Sequence, residues 1–362
     1  MNNRTEILDA VRRRRPARIP YTYTALAETD ARLRAYLKCP AGANLRARFG
    51  CNYFSSLWEA LGKEPALPER AARHATADPN VRTDIWGVKW ERKVAGSAVY
   101  FEITESPLAG AETVADIERF DWPRAEEVVF PDIPAGFDLQ RWKQERVLID
   151  SGFIGPFGVP WAVRGLEQFM LDLATAPAIV ESLVLKVEEY TLGSLKRFLE
   201  KYPGALDLIS CGDDYGSQNG LLLSTAMMRR FFMPSLKRHY DLARRHGVIG
   251  YHHCCGAIFE AIPLLIEAGV EVLNPIQTSA HGMIPERLKA AYGRDLCFHG
   301  GIDIQQTLVR GSPAEVRAEV RHRIETLGPE GYILAPSHVL QPDTPPENIV
   351  AMYEEAATYG KV

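Results

Sequence analysis

The 362-residue sequence is short of several things that would declare a function outright. No uncharged run exceeds fourteen residues, and the longest contain Pro, Gly, His or Asn, so none provides the roughly 18 apolar residues that span a bilayer. Membrane embedding is excluded on this reading. Charge of one sign is also lacking: 42 Lys and Arg against 46 Asp and Glu leave −4, which draws the chain to neither nucleic acid nor anionic lipid. Six cysteines, two of them adjacent at Cys254 and Cys255, form no disulfide framework and fit a reducing, cytoplasmic compartment. The glycines lack G-x-G-x-x-G and Walker spacing, so dinucleotide and nucleoside triphosphate sites find no support. No internal repeat is evident. Arg12 to Arg15 are preceded by polar residues and followed by Pro16-Ala-Arg18 where a signal peptide needs an apolar core, so they read as a solvated helix end.

What is present is an ordinary globular composition, 46% hydrophobic and 24% charged, in a chain long enough for one barrel with an N-terminal extension. Residues 1–140 are irregular. Apolar helical stretches at 4–12, 28–38 and 45–62 are broken by Pro-rich segments, with β-formers alternating in Ile19-Pro-Tyr-Thr-Tyr-Thr24. Residues 88–94 and 97–104 suggest a hairpin over an active site. Residues 141–362 are regular, with β-rich runs at 146–151, 206–211, 247–252, 271–275, 295–299 and 331–336. Helical stretches at 165–200, 224–245, 256–268, 284–292 and 313–327 separate them, which is the pattern of βαβ units and a parallel sheet. Each run ends in a polar or glycine-rich loop. Six reactive loops at the same strand ends favour a (β/α)₈ TIM barrel with an N-terminal helical extension, a single domain over 1–362, rather than an open sheet that binds only at its switch point.

The loops carry the chemistry. His253-Cys-Cys255 contains His-x-Cys at a strand end, where alternation turns residues i and i+2 to one side. Imidazole and thiolate together suit Zn²⁺, and a catalytic site wants a third protein ligand and one open position. The bland alternative is a small buried Cys beside a core His. For the third ligand His338, just after Tyr332-Ile-Leu-Ala-Pro336, is best placed, with Gln277 and Glu271 behind it. His338 can equally be a general acid or a substrate anchor. Asp213 and Asp214 follow a strand, where paired carboxylates serve as a base, as a partner to a metal-bound His or as a clamp, or else cap the next helix. Asp303, after Gly300-Gly301, is a cap or a site carboxylate. Phe153, Tyr215, Gln218 and Gln277 lie on the same strand-end loops and are expected to touch substrate, while Cys297 lies within a strand and reads as core.

These motifs resemble the superfamily of uroporphyrinogen decarboxylases and corrinoid-linked methyltransferases across most of the chain. The resemblance is carried by Gly212-Asp-Asp-Tyr-Gly-Ser-Gln218, the His-x-Cys-Gly at 253–256, Val272-Leu-Asn-Pro-Ile-Gln277, Gly300-Gly-Ile-Asp303 and Ser337-His-Val-Leu-Gln-Pro-Asp-Thr-Pro-Pro-Glu-Asn348. Asp84-Ile-Trp-Gly87 and Gly155-Pro-Phe-Gly-Val-Pro-Trp161 extend it toward the N-terminus. It implies active-site roles for Asp84 and His338. The decarboxylases' N-terminal Arg-Gln-Ala-Gly-Arg segment has no counterpart in Arg18-Ile-Pro-Tyr-Thr-Tyr-Thr-Ala25, and their active-site tyrosine falls on Leu166. His253 and Cys255 instead match the methyltransferase branch, in which a His and two Cys hold zinc, with Ser337-His338 where the second Cys would stand.

An imidazole in place of a thiolate leaves the ion a stronger Lewis acid, suited to polarising a methyl donor's heteroatom. The expectation is therefore methyl transfer from an O- or N-methylated small molecule to a corrinoid (cobalamin) carried by a partner protein, since no corrinoid module is visible in the chain. A homodimer is compatible with it. The alternative enzyme is a metal-independent decarboxylase of a polycarboxylate using Asp84 and His338, and a third reading is a binding protein that has lost its chemistry.

Overall fold

The computed structural model describes residues 3–95, 98–150 and 155–361. Its strands, in chain order, are β1 (Phe54–Ser55), β2 (Val81–Thr83), β3 (Lys89–Ala95), β4 (Ala98–Glu105), β5 (Val147–Asp150), β6 (Leu208–Gly212), β7 (Ile249–His253), β8 (Val272–Ile276), β9 (Cys297–Ile302) and β10 (Tyr332–Pro336). Seven of them form one parallel sheet in the order β1-β5-β6-β7-β8-β9-β10. The gap between β10 and β1 is bridged by the segment 20–22. Tyr21 pairs in parallel with Leu334 and Thr22 with Asn52, through Thr22 N–H to Leu334 O at 3.0 Å, Leu334 N–H to Pro20 O at 2.9 Å and Asn52 N–H to Tyr21 O at 2.8 Å. Eight parallel staves thus give a TIM-barrel-like α/β fold, as the strand-end loops led us to expect.

The helices that link the staves bury one face each, but several are shorter than their hydrophobic pattern suggests. The stretch read as 165–200 is two helices, Leu166–Thr175 and Pro177–Lys201, and a further helix, Gly158–Arg164, precedes it. Gly165 at φ +85° breaks the first junction and Pro177 starts the last. Pro234 likewise divides 224–245 into Thr225–Phe231 and Met233–Arg245. The stretch at 256–268 is helical only over Ile262–Ala268, with Pro263 in its first turn. The largest correction falls at 45–62, which is not one helix. Leu45–Phe49 ends at Gly50 in the left-handed region, β1 follows as a barrel stave, and Leu57–Leu61 begins afresh on a Ser56 cap.

The helix Asn3–Val11 closes the barrel's N-terminal end. Its Ile7, Leu8, Ala10 and Val11 pack in one cluster with Val147, Leu208, Val272, Cys297 and Ile333. Cys297 is fully buried there, as its position within a strand suggested. β2, β3 and β4 form a separate antiparallel sheet, and Tyr100 OH donates to Gln341 Oε1 at 3.0 Å, tying the β3–β4 hairpin to the loop after β10. Among the described residues no helix is long and apolar enough to cross a membrane.

Arg164 and Arg18 are committed to structure. Arg18 pairs with Glu6 at 2.8 Å, while Arg164 Nε meets Asp172 Oδ2 at 2.7 Å and its Nη1 donates to Leu108 O and Ala109 O. Arg164 and Asp172 are both buried. Asp172→Ala would strand a buried guanidinium, and we expect it to cost about 3–5 kcal/mol, read as a lower urea midpoint.

Candidate active site

The C-terminal ends of β6 to β10 converge on one mouth. His253 ends β7 and Cys255 lies two residues on, which puts His253 Nε2 3.5 Å from Cys255 Sγ. Across the opening, the loop after β10 brings the His338 ring centroid to 5.9 Å from that of His253. One donor atom from each of His253, Cys255 and His338 lies within 4.8 Å of the others. The loop holding Cys255 is packed tightly. Gly256 sits at φ +92°, and a Cβ there would stand 2.7 Å from Gly216 C and Ser217 O, so no side chain fits.

The orientation of His253 is set from behind. Asn274, at the middle of β8, donates through Nδ2 to His299 O at 3.3 Å, so its Oδ1 accepts from His253 Nδ1 at 2.8 Å. That bond places the proton on Nδ1 and leaves the Nε2 lone pair facing Cys255 and His338, as a metal-bound imidazole requires. Cys255 N–H donates to Asp214 Oδ1 at 2.7 Å, which fixes the thiol's loop and sets a carboxylate beside it. Burial first, and then the Asp214 charge, push the Cys255 thiol up to about 12. Such a thiol keeps its proton until a cation takes its place. Desolvation and the neighbouring His253 hold the His338 imidazole below its ordinary value, with Asp214 pulling the other way. Two imidazoles and a thiol with an open side are the donor set of a catalytic zinc site, and these residues fit that ion.

Next to the triad a cavity of about 310 Å³ runs into the barrel. His253, His338 and Asn274 form one wall, and Thr22, Tyr251 and His299 line its interior. His299 Nε2 lies 2.8 Å from Thr22 Oγ1 and its Nδ1 2.9 Å from Tyr251 OH. Phe54 and Arg46 are also among its lining residues.

The sequence family agrees with this arrangement: the model of uroporphyrinogen decarboxylase (URO-D) matches residues 88–359. The chain belongs to the uroporphyrinogen decarboxylase family. Among solved structures, a methyltransferase from Methanosarcina mazei is similar to it at 18% identity, covering 99% of both chains with a TM-score of 0.62, which shows the same fold. A B12-independent methionine synthase from Shewanella sp. W3-18-1 aligns over 94% of both chains at 12% identity, but its TM-score of 0.38 carries no argument. No curated protein matches the sequence.

Within this member of the uroporphyrinogen decarboxylase family the expected site residues divide sharply. His253, Cys255 and His338 come together. Asp214 is exposed beside Cys255, whereas Asp213 is buried and accepts from Gly158 N–H at 2.7 Å, from Phe157 N–H and from Tyr215 OH at 2.8 Å. It caps the helix Gly158–Arg164, not the helix that follows it in sequence, and burial pushes it up to about 7. Tyr215 is spent on that cap. Gln277 accepts from Gly256 N–H at 2.8 Å and donates to Gln218 at 3.1 Å, so the two glutamines brace loops. Glu271 precedes β8 and lies at the opposite end of the barrel from the triad.

Asp303 accepts from Gln305 N–H in a local turn. Asp84 does not line the cavity; its carboxylate takes Trp86 N–H, Val88 N–H and Trp90 Nε1–H, all within 3.1 Å, and organises the turn before β3. Phe153 lies outside the described residues. Sequence reasoning missed Asn274, His299, Tyr251, Thr22 and Arg46. Asn274 carried a signal, as part of the quoted motif that forms β8. Asn274→Ala removes the bond that orients His253, and we expect zinc affinity to fall about 10–100-fold with the fold unchanged, measured by competition with a chelator.

Proposed function

We propose that the chain is a zinc-dependent methyltransferase that moves a methyl group from an O- or N-methylated small molecule to a corrinoid held by a partner protein. The observation that carries the reading is the convergence of His253 Nε2, Cys255 Sγ and His338 at the mouth of a substrate-sized cavity. Bound there, zinc supplies Lewis acidity that draws charge from the leaving heteroatom. The protein's own groups prepare that site. Cys255 gives up its Sγ proton to become a ligand, Asn274 holds His253 Nε2 toward the ion, and His338 closes the third side from the rim. One thiolate rather than two keeps the ion electrophilic.

In the transfer the methyl carbon passes to the reduced cobalt, its bond to the heteroatom breaks with the electron pair left on the heteroatom, and that atom gains a proton from solvent. The same fold serves a methyltransferase in Methanosarcina mazei. The decarboxylase alternative needs Asp84 beside His338, whereas Asp84 stands outside the cavity with its oxygens used.

The test mixes the zinc-loaded protein with chemically reduced cob(I)alamin and a panel of methyl ethers and methylamines, following methylcobalamin by its absorbance. Methylation that depends on His253 and Cys255 supports the reading. A metal-free protein that releases carbon dioxide from a polycarboxylate and methylates nothing overturns it.

A further inference from the structure

The cavity beside the triad has a charge and a proton balance that together select its ligand. Arg46, from the short helix Leu45–Phe49, lines it, and no Asp or Glu is among the described lining residues. The Arg46 side chain has no ion pair or hydrogen bond among the described residues. Asp30, which shares the neighbouring groove with Arg46, is already spent: Tyr23 OH donates to its Oδ1 at 2.5 Å and Arg34 to its Oδ2 at 3.0 Å. With no carboxylate among the described residues lining the cavity, the solvent-facing guanidinium of Arg46 is left to meet an anion at its rim.

The proton balance comes from Thr22, His299 and Tyr251, all buried and joined in one chain. A neutral imidazole donates from one nitrogen and accepts at the other. The three side chains then hold three exchangeable protons, and two of them make the two internal bonds. One hydroxyl, on Thr22 or on Tyr251 according to the tautomer, keeps a proton to give to the cavity. Were His299 charged, both hydroxyls would accept from it and both would keep theirs. At least one buried hydroxyl donor is therefore always available, and a ligand oxygen is what it lacks. Phe54 and the rings of Tyr53 and Tyr251 supply flat apolar walls around it.

We infer that this cavity binds a small organic anion, its charged oxygens held by Arg46 and an oxygen accepting from the Thr22–His299–Tyr251 chain. In the proposed methyl transfer this anion is the methyl donor, with its methylated heteroatom turned to the triad. That last statement rests on the proposed function, but the anion site does not.

The test uses 4-methoxybenzoate and its neutral counterpart 4-methoxybenzamide as calorimetric probes of the full chain, with and without a chelator. The wild type is expected to bind the anion at least about tenfold more tightly than the amide, the scale of a charge-assisted hydrogen bond. Arg46→Ala should erase that preference, and Arg46→Lys, which keeps charge but loses the planar fork, should retain part of it. Arg46 is exposed, so neither change threatens folding. The double variant Thr22→Val/Tyr251→Phe, if it keeps the wild-type circular dichroism, should weaken the anion while the effect of Arg46→Ala persists in it.

Three results overturn the inference. They are undetectable anion binding at millimolar concentration, a preference that survives Arg46→Ala, and a preference that vanishes on chelation, which would place the anion on the metal. A preference that persists in protein found to hold no metal keeps this inference and defeats the zinc methyltransferase reading, so the two failures are distinguishable.

Discussion

Cys255→Ala is expected to lose its zinc and, with it, roughly 10³-fold or more of methyl transfer, the scale of several kcal/mol of charge stabilisation by a Lewis acid. Stability should change by no more than about 1 kcal/mol, because the side chain is only part-buried and belongs to a strand-end loop, while the barrel's packing lies elsewhere. His253→Ala should behave alike. Metal content by plasma mass spectrometry, methylcobalamin formation and a thermal melt on the same preparation decide the matter. A variant that fails to fold would make the cluster structural, and one that keeps its activity would remove the ion from the reaction.

His338 has the second large expected effect and the greater power to discriminate. With His338→Ala two ligands remain, and affinity for zinc should fall by more than the roughly 10–100-fold typical of losing a group that only orients a ligand. His338→Cys should hold zinc again, since thiolate is a good ligand, yet transfer methyl more slowly because the added negative charge weakens the Lewis acid. A residue that only anchors substrate or shuttles a proton would give a different pair of results, with zinc unchanged in both variants. An alanine variant with full zinc would therefore end the three-ligand assignment.

The barrel's second half was legible because β5 to β10 are short apolar runs bounded by polar loops, each followed by a helix. Its first two staves were less so. The segment 20–22 lies within the alternating β-formers of 19–24, a weak signal for a segment that pairs through isolated bridges, and β1 is two residues long between short helices, so helical periodicity across 45–62 outweighs it. The candidate triad was legible for a local reason: His253 and Cys255 share a side by strand alternation, and His338 follows the last apolar run. Asn274 precedes a proline and reads as a turn residue, though its side chain faces His253 across the barrel wall. His299, Tyr251 and Thr22 meet only once the barrel closes, since 277 and 48 residues separate the partners in their two bonds. Asp213 and Asp84 stand differently in the fold from what their motifs suggested. Carboxylates in family motifs read as chemistry, and here both are consumed by backbone N–H groups, Asp213 at a helix end and Asp84 in a turn.

The most direct test of the central claim is the metal content of the protein purified without added zinc, beside that of Cys255→Ser. The account predicts roughly one zinc per chain in the wild type, as a three-ligand catalytic site holds, and almost none in a Cys255→Ser variant with an unchanged fold. Wild-type protein that carries no metal and yet turns over at full rate, or a Cys255→Ser variant that retains its zinc, would contradict it.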